Sequence, residues 1–212
     1  MPPVEFTRNS FPRRAANHTR SDGVHWEADG VSGTVVLVEG MSDKVAVETI
    51  AARRGRDLRS EGVDVVPLGG ATNFRAFVEH HAREGERLAG LCDAGEERAP
   101  RHALQVAGFG RDLTRADMEA LGFFVCVADL EDELIRALGS ATVERVIEEQ
   151  GELRSLRTMQ RQPFHRERSI DAQLRRFMGT KSQRKERYAR LLVEALDPEQ
   201  VPAPLAGLLA YI

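Results

Sequence analysis

The acids of this sequence gather where its apolar runs end. Val35, Val36, Leu37 and Val38 form an unbroken apolar run, and Glu39 closes it before Gly40 and a helix start. The run ending in Cys92 closes on Asp93 in "GLCDAGEE", and the run at 123–128 closes on Asp129, with Glu131 just beyond in "CVADLEDEL". A carboxylate at the end of a core strand loses several kcal/mol of hydration unless a cation meets it or the strand has reached water. Acids that converge in this way repel one another, and a hard divalent cation removes that cost. Mg²⁺ takes one or two carboxylates and leaves room for phosphate oxygens. The chemistry expected is therefore metal-dependent work on phosphate. Taken singly, each acid has a plainer alternative as a solvated strand end or helix N-cap. Asp43, in the first turn of its helix, could simply favour the dipole.

These acids converge only if their strands run parallel. Apolar runs at 34–38, 63–68, 87–92 and 123–128 alternate with segments of helical period at 43–55, 73–84, 97–108 and 130–138. That alternation predicts right-handed crossovers and an α/β fold, a mostly parallel four-stranded sheet flanked by helices. In such a sheet all carboxyl ends share one edge, where ligands bind. After residue 140 the strands stop, and helical segments are expected at 141–160, 168–178 and 182–196. In the tail "PAPLAGLLAYI", Leu205, Leu208, Leu209 and Ile212 fall at helical spacing and should pack on the body. The division expected is a disordered arm over 1–32, with Trp26 able to tack its end onto the domain, then a core over 33–140 and a helical extension over 141–212.

Composition narrows the partners. The 212 residues are 42% hydrophobic and 30% charged, with net charge −3, so nothing global pulls the chain toward nucleic acid or membrane. No apolar run is long enough to span a bilayer, and the N-terminus lacks a secretory core. Cys92 and Cys126, inside predicted strands, read as buried free thiols of a cytoplasmic protein. They make no zinc site.

Locally the charge is uneven. Over 151–190, arginines and lysines outnumber acids, and Arg175, Arg176, Arg184 and Arg187 are the candidate contacts to a nucleic-acid backbone. The alternative is that this stretch pairs with the acids of 129–149. In "LGGATNF", Gly69 and Gly70 permit backbone amides to face a phosphate, or merely turn the chain, with Thr72 or Asn73 as cap. His80, His81 and His102 read as surface residues, and His165 is a weak phosphate candidate among arginines.

The order of the acids narrows the reading further. "VLVEGMSDKVAVETIA", "LGGATNF", "GLCDAGE" and "VADLEDELIRALG" together resemble the Toprim domain shared by topoisomerases, bacterial primases and OLD-family nucleases. The spacing and "DLEDEL" look most like the OLD version, over roughly 34–195. The resemblance implies a Rossmann-like Toprim fold. It also implies that Glu39 binds metal or serves as general acid/base and that Asp43 is the acid of the following turn. By the same likeness Asp93 is a metal ligand, and Asp129 and Glu131 lie on the later acidic motif, with Glu131 the preferred ligand. The late lysine of the family matches Lys185 in "GTKSQRKERYARLL", with Lys181 as the fallback. Two departures stand out. The second acid of the family's Asp-x-Asp is replaced by Gly95, with Glu96 one residue later. There is also no GxxxxGK[ST] phosphate loop, so an ATPase would have to be a separate partner.

The activity implied by the resemblance is that of an OLD-like endonuclease, using Mg²⁺ or Mn²⁺ to hydrolyse nucleic acid, DNA ahead of RNA, in a setting such as DNA repair. No membrane partner is expected, and the oligomeric state is left open, a homodimer included. Nucleotidyl transfer and a non-catalytic binding module are the alternatives. Strand transfer by a topoisomerase needs a nucleophilic tyrosine domain, whereas the only tyrosines are Tyr188 and Tyr211, inside or after the terminal helices.

Overall fold

Strand β1 (Thr34–Val38) has a core on each side. Val36 and Val38 enter one apolar cluster and Val35 and Leu37 the other, as the two-residue period of a strand requires. This computed structural model describes residues 33–180 and 182–212, so the expected arm over 1–32, Trp26 and Lys181 lie outside the described residues.

Around β1 the sheet is built from β2 (Val63–Pro67), β3 (Arg87–Asp93) and β4 (Phe123–Cys126) in the order β2-β1-β3-β4, every pair parallel. The carboxyl ends of all four strands therefore share one edge. The crossovers carry α1 (Met41–Arg53), α2 (Phe74–Glu84), α3 (Arg98–Val106) and α4 (Arg115–Ala120). After β4 come α5 (Leu130–Leu138), α6 (Ser140–Glu149), α7 (Leu153–Gln160), α8 (Ile170–Met178), α9 (Ser182–Ala195) and α10 (Ala203–Tyr211).

One face of the sheet is covered by α2, α3 and α4 through Phe74, Val78, Leu104 and Met118. The other carries α1 and all the helices after β4, with Ile50, Leu134, Ile147, Phe177, Tyr188 and Leu192 at its centre. Helix α9 runs along α1, and Arg53 Nη1 donates to the Val193 carbonyl at 2.5 Å. Helix α10 closes over β4. A Cβ on Gly207 would meet the Phe124 ring at 2.5 Å, so only glycine allows this approach. Arg56 Nη1 holds the Leu209 carbonyl at 2.7 Å.

The four strands match their expected positions to within two residues. The segment expected as one helix over 141–160 is two, α6 and α7, because the chain turns at Gly151 with φ of 70°. Helix α4 has too few apolar positions to show a period. Its Thr114 cap, which accepts from Asp117 N at 3.2 Å, is the signal that could have found it. Among the described residues no helix is long and apolar enough to cross a membrane.

Candidate metal centre

Glu39 stands one residue past β1, Asp93 is the last residue of β3, and Asp129 caps α5 just beyond β4. Asp43 projects from the first turn of α1 and Glu131 from that of α5, and both are buried. The parallel sheet thus brings all five predicted acids to one edge. They bear on one another electrically. Burial, then the charges of Glu39, Asp43, Asp129 and Glu131, push the Asp93 carboxyl up to about 8. Burial likewise raises Glu131 to about 7, against the pull of Lys185.

Glu39 is raised by burial first and then by Glu96, whose carboxyl lies within hydrogen-bonding reach of it. The 3-10 turn after β3 (Ala94–Glu96) swings Glu96 back toward the strand ends. The acid one residue late in the sequence is therefore in the site. Asp43 is raised by burial too, opposed by Lys185 and by the Gly40 N–H, which donates to Asp43 Oδ2 at 2.9 Å. The capping role considered for Asp43 is real and occupies one of its oxygens.

One cation among these acids is Lys185, on α9. Its Nζ lies 3.3 Å from Glu131 Oε1. Burial disfavours its charge, but Glu131, Asp43 and Asp129 outweigh that and hold its pKa above the usual lysine value. Both oxygens of Asp129 already accept a hydrogen bond. Oδ1 accepts from Asp132 N at 2.9 Å and Oδ2 from Arg175 Nε at 2.5 Å.

The four arginines expected on a nucleic-acid face differ in their surroundings. Arg175 is the partner of Asp129, inside the acid edge. Arg184 and Arg187 both bind Glu152, at 3.0 and 2.6 Å, and Arg184 also covers the Phe177 ring at 4.3 Å. Arg176 alone of the four has no carboxylate within 4.0 Å among the described residues. The pairing with 129–149 is partly realised, by Arg175 with Asp129, Lys185 with Glu131 and Arg157 with Glu144. Sequence could not show these pairs, since partners come from helices far apart in the chain.

Other candidates resolve more simply. Gly69 and Gly70 have φ of 69° and 130°, and Gly69 N donates to the Glu39 carbonyl at 3.0 Å, which sets this loop beside the acids. Asn73 does not cap α2 with its side chain; its Nδ2 donates to the Leu68 carbonyl. His81 pairs with Glu86, and His165 is buried. Tyr188 is fully buried with its hydroxyl on Glu152 at 2.7 Å, so it is no exposed nucleophile. Both cysteines are free and buried, and burial pushes the Cys92 thiol up to about 12.

Residues 32–94 match the family model described as the overcoming lysogenization defect protein-like TOPRIM domain. The fold is an OLD-like Toprim fold. It is similar to the C-terminal region of the Burkholderia pseudomallei OLD protein, with a TM-score of 0.65 and 19% identity over 86% of this chain and 97% of that one. It is also similar to the C-terminal region of the Xanthomonas campestris pv. campestris OLD protein. That match has a TM-score of 0.64 and 26% identity over 85% of this chain and 92% of the other. No curated protein matches the sequence. OLD-like Toprim domains have a nucleotidyl transferase and nuclease type of fold, and the Toprim family is usually enzymatic and generally binds divalent metals.

The donor set of this Toprim edge fits such an ion in kind. Every donor is a carboxylate oxygen; the buried Glu96 Oε2 accepts no hydrogen bond, and Glu131 Oε1 has the Lys185 ammonium at 3.3 Å. As placed, however, no three His, Cys, Asp or Glu side chains among the described residues are gathered closely enough to hold a metal.

Proposed function

We propose that this protein hydrolyses phosphodiester bonds of nucleic acid, DNA ahead of RNA, with Mg²⁺ or Mn²⁺ held by Glu39, Asp93 and Glu131. The observation that carries the reading is the excess of buried carboxyls around one lysine at the sheet edge, with Asp93 raised to about 8. Such a site is costly for the fold alone and is the kind of perturbed cluster that functional sites contain. When bound, the ion polarises the scissile phosphate and lowers the pKa of an attacking water.

The chain's own residues supply the rest. Glu39, raised by burial and by Glu96, would take a proton from an attacking water and pass it on. Lys185 exchanges its contact with Glu131 for the charge that grows on the phosphate oxygens. Arg175 holds Asp129 and thereby the start of α5, which fixes where Glu131 points. The Gly69–Gly70 loop lies beside Glu39, where its open backbone can approach a phosphate. Two buried thiols suit a reducing cytoplasm.

Supercoiled plasmid and labelled RNA, each incubated with Mg²⁺, Mn²⁺ or chelator, test the reading. Cleavage that needs metal and disappears in Glu39→Ala supports it. No cleavage by the wild type with either metal, with or without a candidate ATPase partner, overturns it. The second reading is a non-catalytic Toprim module that binds nucleic acid, and the lack of three gathered ligands among the described residues favours it.

A further inference from the structure

The loop between α7 and α8 presents a bare aromatic ring. Phe164 is 69% exposed and part of neither core, in the stretch "RQPFHRERS". An isolated phenylalanine on an unbraced loop would mean little, but this loop is braced from below. Gln173, itself buried on α8, donates through Nε2 to the carbonyls of His165 at 3.0 Å and Arg168 at 2.9 Å. The chain also turns on itself, with His165 N and Arg166 N both donating to the Gln162 carbonyl. His165 is buried and stands edge-on to the Phe164 ring, centroids 5.1 Å apart. The loop spends buried polar groups to hold an apolar ring out in water.

Around the ring the charge is positive. The Arg168 guanidinium lies 4.3 Å over the Phe164 ring. Among the described residues neither Arg161 nor Arg168 has a carboxylate within 4.0 Å, and Arg166 reaches only the exposed Glu167, at 3.6 Å. Arg161 and Arg166, with Arg157 and Gln160, line a depression of about 530 Å³. With Arg168 over the ring and His165 edge-on to it, 69% of Phe164 is still exposed to a second planar group. An aromatic face set among guanidinium groups is the combination that receives an unpaired base and its phosphates, because every base has a π-face and a duplex hides it.

The platform is also tied to the acid edge. Helix α8 starts at the loop, and its Arg175 binds Asp129. Six residues of helix rise separate Ser169 from Arg175, about 9 Å, or roughly three stacked base steps.

We propose that Phe164 and its arginines form a stacking platform for unpaired nucleotides, so that the substrate class of the Toprim site is single-stranded or frayed nucleic acid. This rests on the proposed action on nucleic acid, but it is tested without cleavage. Fluorescence anisotropy of the full chain in chelator should use a dT strand, a U strand and a duplex, each of about twenty nucleotides or base pairs. Phe164→Ala should weaken single-strand binding about tenfold and duplex binding less than twofold, with Phe164→Trp restoring the strand affinity. A larger effect on dT than on U assigns the platform to DNA, and the reverse to RNA. Equal weakening on all three probes, or no weakening on any, overturns the platform, the latter also if Phe164 serves a protein partner instead. Because chelator silences any metal chemistry, that failure leaves the hydrolase reading standing, and loss of cleavage alone leaves the platform standing.

Discussion

Lys185 Nζ stands 3.3 Å from Glu131 Oε1, and this contact joins helix α9 to the acid edge of the sheet. Removing the lysine takes the cation from Glu131 and leaves Arg175, on Asp129, as the cation paired with an edge acid among the described residues. Lys185→Ala should lose cleavage by about 10²–10³-fold, the cost of removing one transition-state donor elsewhere. Nucleic-acid affinity measured in chelator should hardly change. Intact cleavage in Lys185→Ala together with loss in Lys181→Ala would move the role to Lys181.

Raised carboxyls make stability depend on pH in a known direction. Asp93 at about 8 and Glu131 at about 7 bind protons in the folded chain that the unfolded chain has already released. Their contribution is full below the unfolded carboxylate range, near pH 4, and is lost as pH rises through 7 and 8. In chelator, the thermal midpoint should therefore fall between about pH 5 and about pH 8.5. Adding Mn²⁺ at the upper pH should restore it. A midpoint that rises over this interval would show that the acids ionise without strain.

Metal binding can be read without catalysis. Calorimetric titration of Mn²⁺ should give a saturable heat in the wild type, abolished in Glu39→Ala and reduced in Glu96→Gln, because Glu96 faces Glu39. Equal heats in all three proteins would return the strand-end acids to capping and solvation.

The arginines should separate by role. Arg176→Ala should lower the salt slope of nucleic-acid binding by about one unit and leave folding intact, since Arg176 pairs with no carboxylate among the described residues. Arg184→Ala should instead destabilise the fold, because it leaves Glu152 with fewer partners and uncovers Phe177. Denaturation midpoints and salt titrations of both variants give the comparison.

Gly207→Ala should cost about 1–3 kcal/mol in urea denaturation, since its methyl must displace the Phe124 ring. Wild-type stability in this variant would mean that α10 can lift from β4 at no cost.

The sheet was legible because each strand is a short apolar run closed by an acid or a turn, and parallel order follows from the helices between them. The convergence of the acids was legible for the same reason: a parallel sheet carries Glu39, Asp93 and Asp129 to one edge whatever else the chain does. What sequence could not convey were pairings across long separations. The surplus of arginines in 151–190 suggested a free basic face, yet Glu152 alone takes two of them and Asp129 a third. The reach of Glu96 depended on a single 3-10 turn, which no periodicity announces.

The packing of α9 along α1 also has a bearing on how the chain is made. Every acid of the edge leaves the ribosome before Lys185 does, and the helix that bears it docks against one of the first helices translated. At about 5–20 residues per second, the carboxyls wait several seconds for their cation. During that interval the edge acids lack their lysine, and Arg175 on α8 pairs with Asp129 alone, so protonation or a captured divalent ion would relieve the remaining charge. Chaperone-free synthesis with and without Mn²⁺ should then differ in soluble yield, and the moment of maturation is the arrival of α9.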